Sequence, residues 1–349
     1  MQNLIFAVYS IGAWTAFSPM TLHWRCASWR KNMIPIEWID EARQRITAHI
    51  VCTPLLHDER RGLYFKLENR QVTGSFKARG ALNKVLSLQP WERERGIVTA
   101  SAGNHGQGVA LAGQLIHAPV EVFVAENAVL TKVQAIQALG AKVHFVSGGY
   151  AEAELAGKQY ASETKKTWIS AYNDGQVIAG QGTLALEIAD QMTVSADQTW
   201  LVPVSGGGLL AGIAVGLQRF PSRPRLIGVQ AEASAFMHAL YYRGTQVDVP
   251  DLPSLADGLT GAVEEDALTI PIIKKYVDDI LLVSEDEIAS AVAFAWHTYG
   301  EKFEPSGAVG LAAVFSGKVP LSPTLILVSG GNIQPEVHAD LISTYRTQA

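Results

Sequence analysis

The chain has 349 residues, 48% of them hydrophobic and 17% charged, with a formal net charge of −5. This composition excludes a disordered or low-complexity chain and leaves room for roughly two packed bodies. The acidic balance argues against nucleic acid or an anionic membrane as partner. Two cysteines, Cys26 and Cys52, form neither a metal-ligand spacing nor a disulfide framework, which fits a reducing, cytoplasmic setting.

The chain opens with an apolar, aromatic run at 5–17. It is too short for a membrane span, and its basic residues Arg25, Arg30 and Lys31 follow it instead of preceding it. Residues 1–32 therefore read as an N-terminal extension, with the fold beginning near Met33. Apolar residues then recur at helical spacing through IPIEWIDEARQRI, which predicts a helix over 36–48 and an extended stretch at 49–56. Leu63, Tyr64, Phe65 and Leu67 predict a strand that runs into a polar turn. Thr73-Gly74-Ser75 then opens a helix beginning Phe76-Lys77-Ala78-Arg79, with Ser75 as its expected N-cap. Lys77 falls in the first turn, where the helix dipole and the neighbouring Arg79 both disfavour an ammonium. A neutral lysine is the form that attacks a carbonyl. Taken alone, the stretch reads at least as well as a surface lysine beside a cap.

Beyond a polar linker at 89–95, strands and helices alternate. Strands are predicted at 97–100, 120–125, 143–146 and 168–170, with helices at 105–116, 131–139 and 152–165. A second series has helices at 178–192, 209–220, 285–299, 306–315 and from 336, with strands at 199–204, 225–230, 280–283 and 324–328. Pro250 and Pro253 mark a loop. Ser284 caps the helix at 285, with Glu287 in capping-box position. Such alternation predicts parallel twisted sheets covered on both faces. The expected division is a small domain at 94–174 and a large one made of 33–93 plus 175–349.

Three glycine-bearing turns follow predicted strands, where open α/β sheets bind ligands. Ser101-Ala102-Gly103-Asn104-His105-Gly106-Gln107-Gly108 offers backbone N–H groups to an anion such as a carboxylate, and equally reads as a tight turn onto a close-packed helix. Ser205-Gly206-Gly207-Gly208-Leu209 makes a nest of donors suited to a phosphate. Gly206, Gly208 and Ala211 also satisfy a dinucleotide pattern with Glu232 beyond the next strand, so a nicotinamide oxidoreductase is a rival on pattern alone. Ser329-Gly330-Gly331-Asn332 puts a hydroxyl at a strand tip, where it can meet a heteroaromatic nitrogen or close a turn. Glu304-Pro305-Ser306-Gly307 is a polar interruption that also reads as a helix cap.

Taken together and in this order, these motifs resemble fold-type II pyridoxal-phosphate enzymes, specifically the threonine/serine dehydratase and serine racemase branch. The resemblance runs over nearly all of 34–345 and includes Val177-Ile178-Ala179-Gly180-Gln181-Gly182-Thr183 and Phe303-Glu304-Pro305-Ser306-Gly307-Ala308. It implies a tryptophan synthase β-like α/β fold of two three-layer α/β/α domains with mostly parallel sheets, a homodimer or homotetramer, and pyridoxal 5′-phosphate as cofactor. It implies that Lys77 is the Schiff-base lysine, Phe76 a packing neighbour and Asn104 the partner of the ring 3′-oxygen. Ser205, Gly206, Gly207, Gly208 and Leu209 become the phosphate cradle, and Ser329 the hydroxyl facing the pyridine nitrogen. The turn of Ser101, Ala102, Gly103, Asn104 and His105 becomes the seat of the substrate carboxylate.

The activity so implied is an ammonia-lyase converting L-threonine or L-serine to a 2-oxo acid and ammonia, with Lys77 as general base. A hydroxyl opposite the ring nitrogen makes a weaker electron sink than a carboxylate, which favours prompt elimination. Serine racemase and 3-hydroxyaspartate dehydratase are the alternatives within the branch. Ala102 stands where mammalian-type racemases carry their second proton-carrying serine. The positions corresponding to that group's divalent metal ligands are Gln230 and Phe236, so no metal is expected there. No regulatory module follows Ala349, so feedback control by an appended domain is not expected.

Overall fold

The computed structural model describes residues 34–319 and 323–345, and the extension expected at 1–32 lies outside them. Helix α1 (Glu37–Ile46) turns Ile39, Ala42 and Ile46 inward. A hairpin of β1 (Leu55–Asp58) and β2 (Leu63–Leu67) follows, then α2 (Lys77–Leu86). The expected linker at 89–95 is instead a short helix, α3 (Pro90–Arg95). Pro90 at its start and Glu92, which accepts the Gln89 N–H at 2.8 Å, nucleate it. It has no buried residue, so no apolar period announced it.

The next strands form a four-stranded parallel sheet in the order β5-β4-β3-β6. They are β3 (Ile97–Ala100), β4 (Val120–Ala125), β5 (Lys142–Val146) and β6 (Thr167–Trp168), with helices α4 (Asn104–Leu115), α5 (Leu130–Ala138) and α6 (Tyr150–Thr164) between them. Leu82, Val85, Val109 and Ile136 fill one face, and Phe123, Ala161 and Trp168 pack on the other.

Helix α7 (Gly175–Gln191) returns the chain to the larger sheet. Asp174 caps it by accepting from the Gln176 and Val177 N–H groups. There follow β7 (Thr199–Pro203), α8 (Gly208–Gly216), β8 (Arg225–Ala231), α9 (Phe236–Arg243), α10 (Thr269–Tyr276) and β9 (Asp279–Val283). The chain continues through α11 (Glu285–Tyr299), α12 (Pro305–Phe315), β10 (Thr324–Val328) and α13 (Pro335–Thr344). The six-stranded order is β1-β2-β10-β7-β8-β9, parallel except at the β1–β2 hairpin. Ile39, Leu184, Ile213, Met237 and Ile273 cover one face, and Ile288, Val292, Leu311 and Leu341 the other. Helices α9 and α10 were not foreseen. Pro271 in the first turn of α10 reads from sequence as a breaker, although a helix tolerates proline there. The capping box at Ser284 and Glu287 is formed as expected.

Two consequences position the site. Helices α7 and α8 approach so closely that a Cβ on Gly182 would lie 2.7 Å from Gly212 O, so only glycine fits. The motif loops leave the C-terminal ends of β2, β10 and β7, adjacent in the large sheet, and of β3 and β6, adjacent in the small one.

Candidate active site

Lys77 is the first residue of α2. Its N-cap is Phe76, not Ser75. Ser75 is extended (φ −161°), and its buried Oγ has no hydrogen-bond partner. The reason is a tertiary bridge: Ser75 pairs with Gly330, Phe76 N–H donates to Ser329 O at 3.0 Å, and Gly331 N–H donates to Gly74 O at 3.0 Å. The segment before Lys77 is thus stitched to the loop after β10.

Lys77 is half-buried as a residue, with its nitrogen enclosed by protein and donating to Ala171 O at 3.0 Å. Burial lowers its pKa to about 8, against the opposing pull of the Glu304 carboxylate. The sequence had assigned part of this effect to Arg79, and that is corrected. The Arg79 guanidinium points the other way, bidentate on Glu68 at 2.8 Å for both bonds and 2.9 Å from Glu187. Lys66 joins the same buried quartet, 2.6 Å from Glu187. Two cations and two carboxylates cancel there, anchoring α2 to α7.

Asn104 opens α4. Its Nδ2 donates to Glu304 Oε1 at 2.9 Å and lies 3.2 Å from Oε2, while its Oδ1 accepts from Asn332 Nδ2 at 2.7 Å. Ser329 is buried, its Oγ 3.4 Å from Ser306 O. A Cβ on Gly330 would collide with Glu304 Oε1, so that loop position requires glycine.

Gly206, Gly207 and Gly208 lead into α8, whose first backbone N–H groups have no intrahelical carbonyl. Gly207 has φ +87°. Added Cβ atoms at Gly206 and Gly207 would sit 2.5 Å from the Tyr172 ring and from Ile273 Cδ1. Thr269 Oγ1 donates to Gly206 O at 2.7 Å, which orients the turn, and Ser205 Oγ lies 3.5 Å from Thr260 O. Leu209 is buried. Ala171 and Tyr172 therefore link the Lys77 amine to the glycine nest.

The turn after β3 is held by Ser101 Oγ, which accepts from Gly103 N–H at 3.1 Å. Ser101, Ala102, Gly103 and Asn104 are partly accessible. His105 is buried with Nε2 3.2 Å from Ile169 O, and burial together with the Lys77 charge pushes its pKa down to about 3. It stays neutral, with Nε2 as the donor and Nδ1 left as an acceptor.

Sequence reasoning missed Ala171 and Tyr172 as parts of this site, named Asn332 only as a motif position, and read Glu304 as a helix cap; Glu304 does precede α12, but its side chain makes no cap bond and turns to Asn104 and Asn332 instead. Their contacts run between elements far apart in the chain, so no local spacing marked them. Glu232, on which the nicotinamide reading depended, is exposed and 4.0 Å from Lys318. Gln230 is buried, accepting the His238 N–H at 3.0 Å, and Phe236 lies in the core.

An enclosed amine, an amide, a hydroxyl and a glycine nest at one rim of two parallel sheets define an enzyme of the pyridoxal-phosphate kind. The profile of the pyridoxal-phosphate dependent enzyme family matches residues 46–330, and the chain belongs to that family. It is 40% identical to an L-threonine ammonia-lyase of Thermotoga maritima, over 86% of this chain and 76% of that one. It is 38% identical to a catabolic L-threonine dehydratase of Staphylococcus aureus, over 86% and 90%. A maize serine racemase structure superposes with a TM-score of 0.81 at 29% identity, covering 89% of this chain and 97% of that one. The residues present fit the cofactor: the first backbone N–H groups of α8 have no intrahelical partner to compete with a phosphate, and Ser75 Oγ, two positions before Lys77, is a buried, unpartnered polar atom. The chain is a pyridoxal-phosphate-dependent enzyme acting on an amino acid. No helix among the described residues is long and apolar enough to cross a membrane.

Proposed function

We propose that this enzyme is an L-threonine/L-serine ammonia-lyase, releasing a 2-oxo acid and ammonia by α,β-elimination. The observation that carries the reading is the enclosed Lys77 amine, held near neutrality between the Asn104 and Ser329 loops and tied through Ala171-Tyr172 to the glycine nest. When bound, pyridoxal phosphate supplies the electron sink that makes the substrate α-proton acidic.

The chain's own residues supply the rest. Ser205, Gly206, Gly207, Gly208 and Leu209 hold the phosphate through backbone N–H groups at the head of α8. Asn104 would donate to the ring oxygen. Ser329 would meet the ring nitrogen with a hydroxyl, which does not hold that nitrogen protonated as a carboxylate would. Phe76 would pack beside the ring. The turn Ser101, Ala102, Gly103, Asn104 and His105 receives the substrate carboxylate at the N-terminus of α4. Lys77, once free, takes the α-proton as general base at its Nζ. A pKa lowered to about 8 leaves an appreciable neutral fraction at physiological pH. Ala102 brings no hydroxyl to the opposite face, so the second proton carrier for racemisation is not supplied at that position.

The working arrangement is a cytoplasmic homodimer or homotetramer, each chain with a small domain at 94–174 and a large domain of 33–93 plus 175–349. The test is purification with added pyridoxal phosphate, borohydride reduction with peptide mapping, and assay of ammonia and 2-oxo acid from threonine, serine and 3-hydroxyaspartate. The expected result is a visible absorption band fixed onto Lys77 and product from threonine and serine. Racemised substrate without ammonia would reject the lyase reading.

A further inference from the structure

Glu304 is a carboxyl group at the centre of the site that the reaction above does not use. It precedes α12 and is buried, and three groups converge on it. Asn104 Nδ2 donates to Oε1, Asn332 backbone N–H donates to Oε2 at 3.1 Å, and Gly330 leaves it the room a side chain would take. Asn332 is pinned in turn. Its Nδ2 donates to Thr73 O at 2.7 Å as well as to Asn104 Oδ1. Thr73 O can only accept, so the atom of Asn332 that faces it is its nitrogen, and the atom of Asn104 facing Asn332 is an oxygen. A carboxylate can only accept, so it demands the Asn104 nitrogen on its own side. Two fixed acceptors, a peptide carbonyl and Glu304, thus set the orientation of one amide. One N–H of Asn104 is directed at the carboxylate, which leaves a single donor on that nitrogen uncommitted.

We propose that Glu304 is a positioning residue of this enzyme, acting with Asn332 through Asn104 so that the remaining Asn104 N–H is presented to the ring oxygen of bound pyridoxal phosphate. The proposal rests on the cofactor placement given above. The strength of that presentation depends on the charge of Glu304, because an ionised carboxylate orders and polarises the amide more strongly than a neutral acid. The groups facing Glu304 are Lys77 from α2, Asn104 from α4, Lys132 from α5, Asp257 from the 257–259 turn and Asn332 from the loop after β10. Burial raises its pKa to about 7. The Asn104 and Asn332 hydrogen bonds and the Lys132 charge oppose that rise, and Asp257 adds to it. The site therefore carries an ionisation in the physiological range that belongs to neither Lys77 nor His105.

The experiment compares holoenzymes of the wild type, Glu304→Gln and Asn332→Ser. The visible absorption spectrum and the cofactor dissociation constant are followed from pH 5.5 to 8.5, and thermal melting reports folding. In the wild type the spectrum changes with a midpoint near pH 7 and cofactor affinity rises as Glu304 ionises, beside the separate rise through about pH 8 that comes with the neutral Lys77 amine. Glu304→Gln keeps the visible band, loses the change centred near pH 7 while keeping the rise that belongs to Lys77, and binds cofactor roughly tenfold more weakly at pH 8. Asn332→Ser weakens cofactor binding but keeps the midpoint, since Glu304 remains, and it serves as the test should Glu304→Gln not fold. A Glu304→Gln holoenzyme that keeps the midpoint near pH 7, or a wild-type spectrum without it, overturns the proposal. A wild-type chain with no visible band at any pH overturns the cofactor placement as well, so the two failures are distinct.

Discussion

Lys77 and Glu304 are a base and an acid whose ordinary values lie far apart and which burial brings to about 8 and about 7. Both shifts follow from one cause, the cost of holding a charge away from water. For Lys77 the expected outcome is direct: Lys77→Ala loses the visible band and drops ammonia release by more than about a thousandfold, read by absorbance and product assay. In the cofactor-free chain, reaction of Lys77 with an amine-selective reagent should rise through about pH 8, well below an ordinary lysine. Glu304 has a stability signature of the opposite kind. Its folded value exceeds its unfolded one, so the folded chain binds the extra proton between about pH 4.3 and 7 and loses stability as pH rises through that window. Glu304→Gln in the cofactor-free chain should therefore gain on the order of 3 kcal/mol relative to wild type at pH 8 and little at pH 5, measured by denaturant melts at both.

Among the elements, the strands and the long helices were legible, because a run such as Thr324-Leu325-Ile326-Leu327-Val328 is buried on both faces and has no other way to satisfy its backbone. Helix α3, held by its cap and without a buried face, was not legible, and α10 was hidden by Pro271. In the site, the glycine turns and Lys77 could be read because each is a local feature of strand, turn and helix. Tyr172 against Gly206, and Asn332 against Asn104, could not, because each contact joins residues on different elements. Ser75 shows the limit most plainly: its type and place fit an N-cap, but a bridge to Gly330 held it extended. These contacts carry expectations at the same scale. Gly206→Val should push the Tyr172 ring out of its place and weaken cofactor retention by roughly thirtyfold, about 2 kcal/mol, measured by equilibrium dialysis. Arg79→Leu removes one cation from the quartet with Lys66, Glu68 and Glu187. The expected loss is about 3–5 kcal/mol of stability by denaturant melt, because two carboxylates are left with a single cation.

Over the described residues, two paired carboxylates make the charge arrangement sensitive to acid. Burial acts to raise the Glu187 carboxyl, but Arg79 and Lys66 outweigh it, and the group titrates at about 2. Glu121, between His144, Tyr160 and Lys166 on the smaller sheet, likewise falls to about 2 against its burial. Stability from both is complete above the unfolded carboxyl value and drains away as pH falls toward 2.

The stitch between Ser75 and Gly330 bears on when this protein becomes an enzyme. Thr73 and Asn332, which it brings into contact, are 259 positions apart. A ribosome that has released the Lys77 helix and the whole smaller sheet has still to make the strand that carries Ser329. With the cofactor seated as proposed, its capture would wait for the end of synthesis, and a chain stopped at residue 317 should show no enzyme-bound visible band with pyridoxal phosphate even where its smaller sheet has formed. An enclosed site for a reactive aldehyde would then exist only once the whole chain is made.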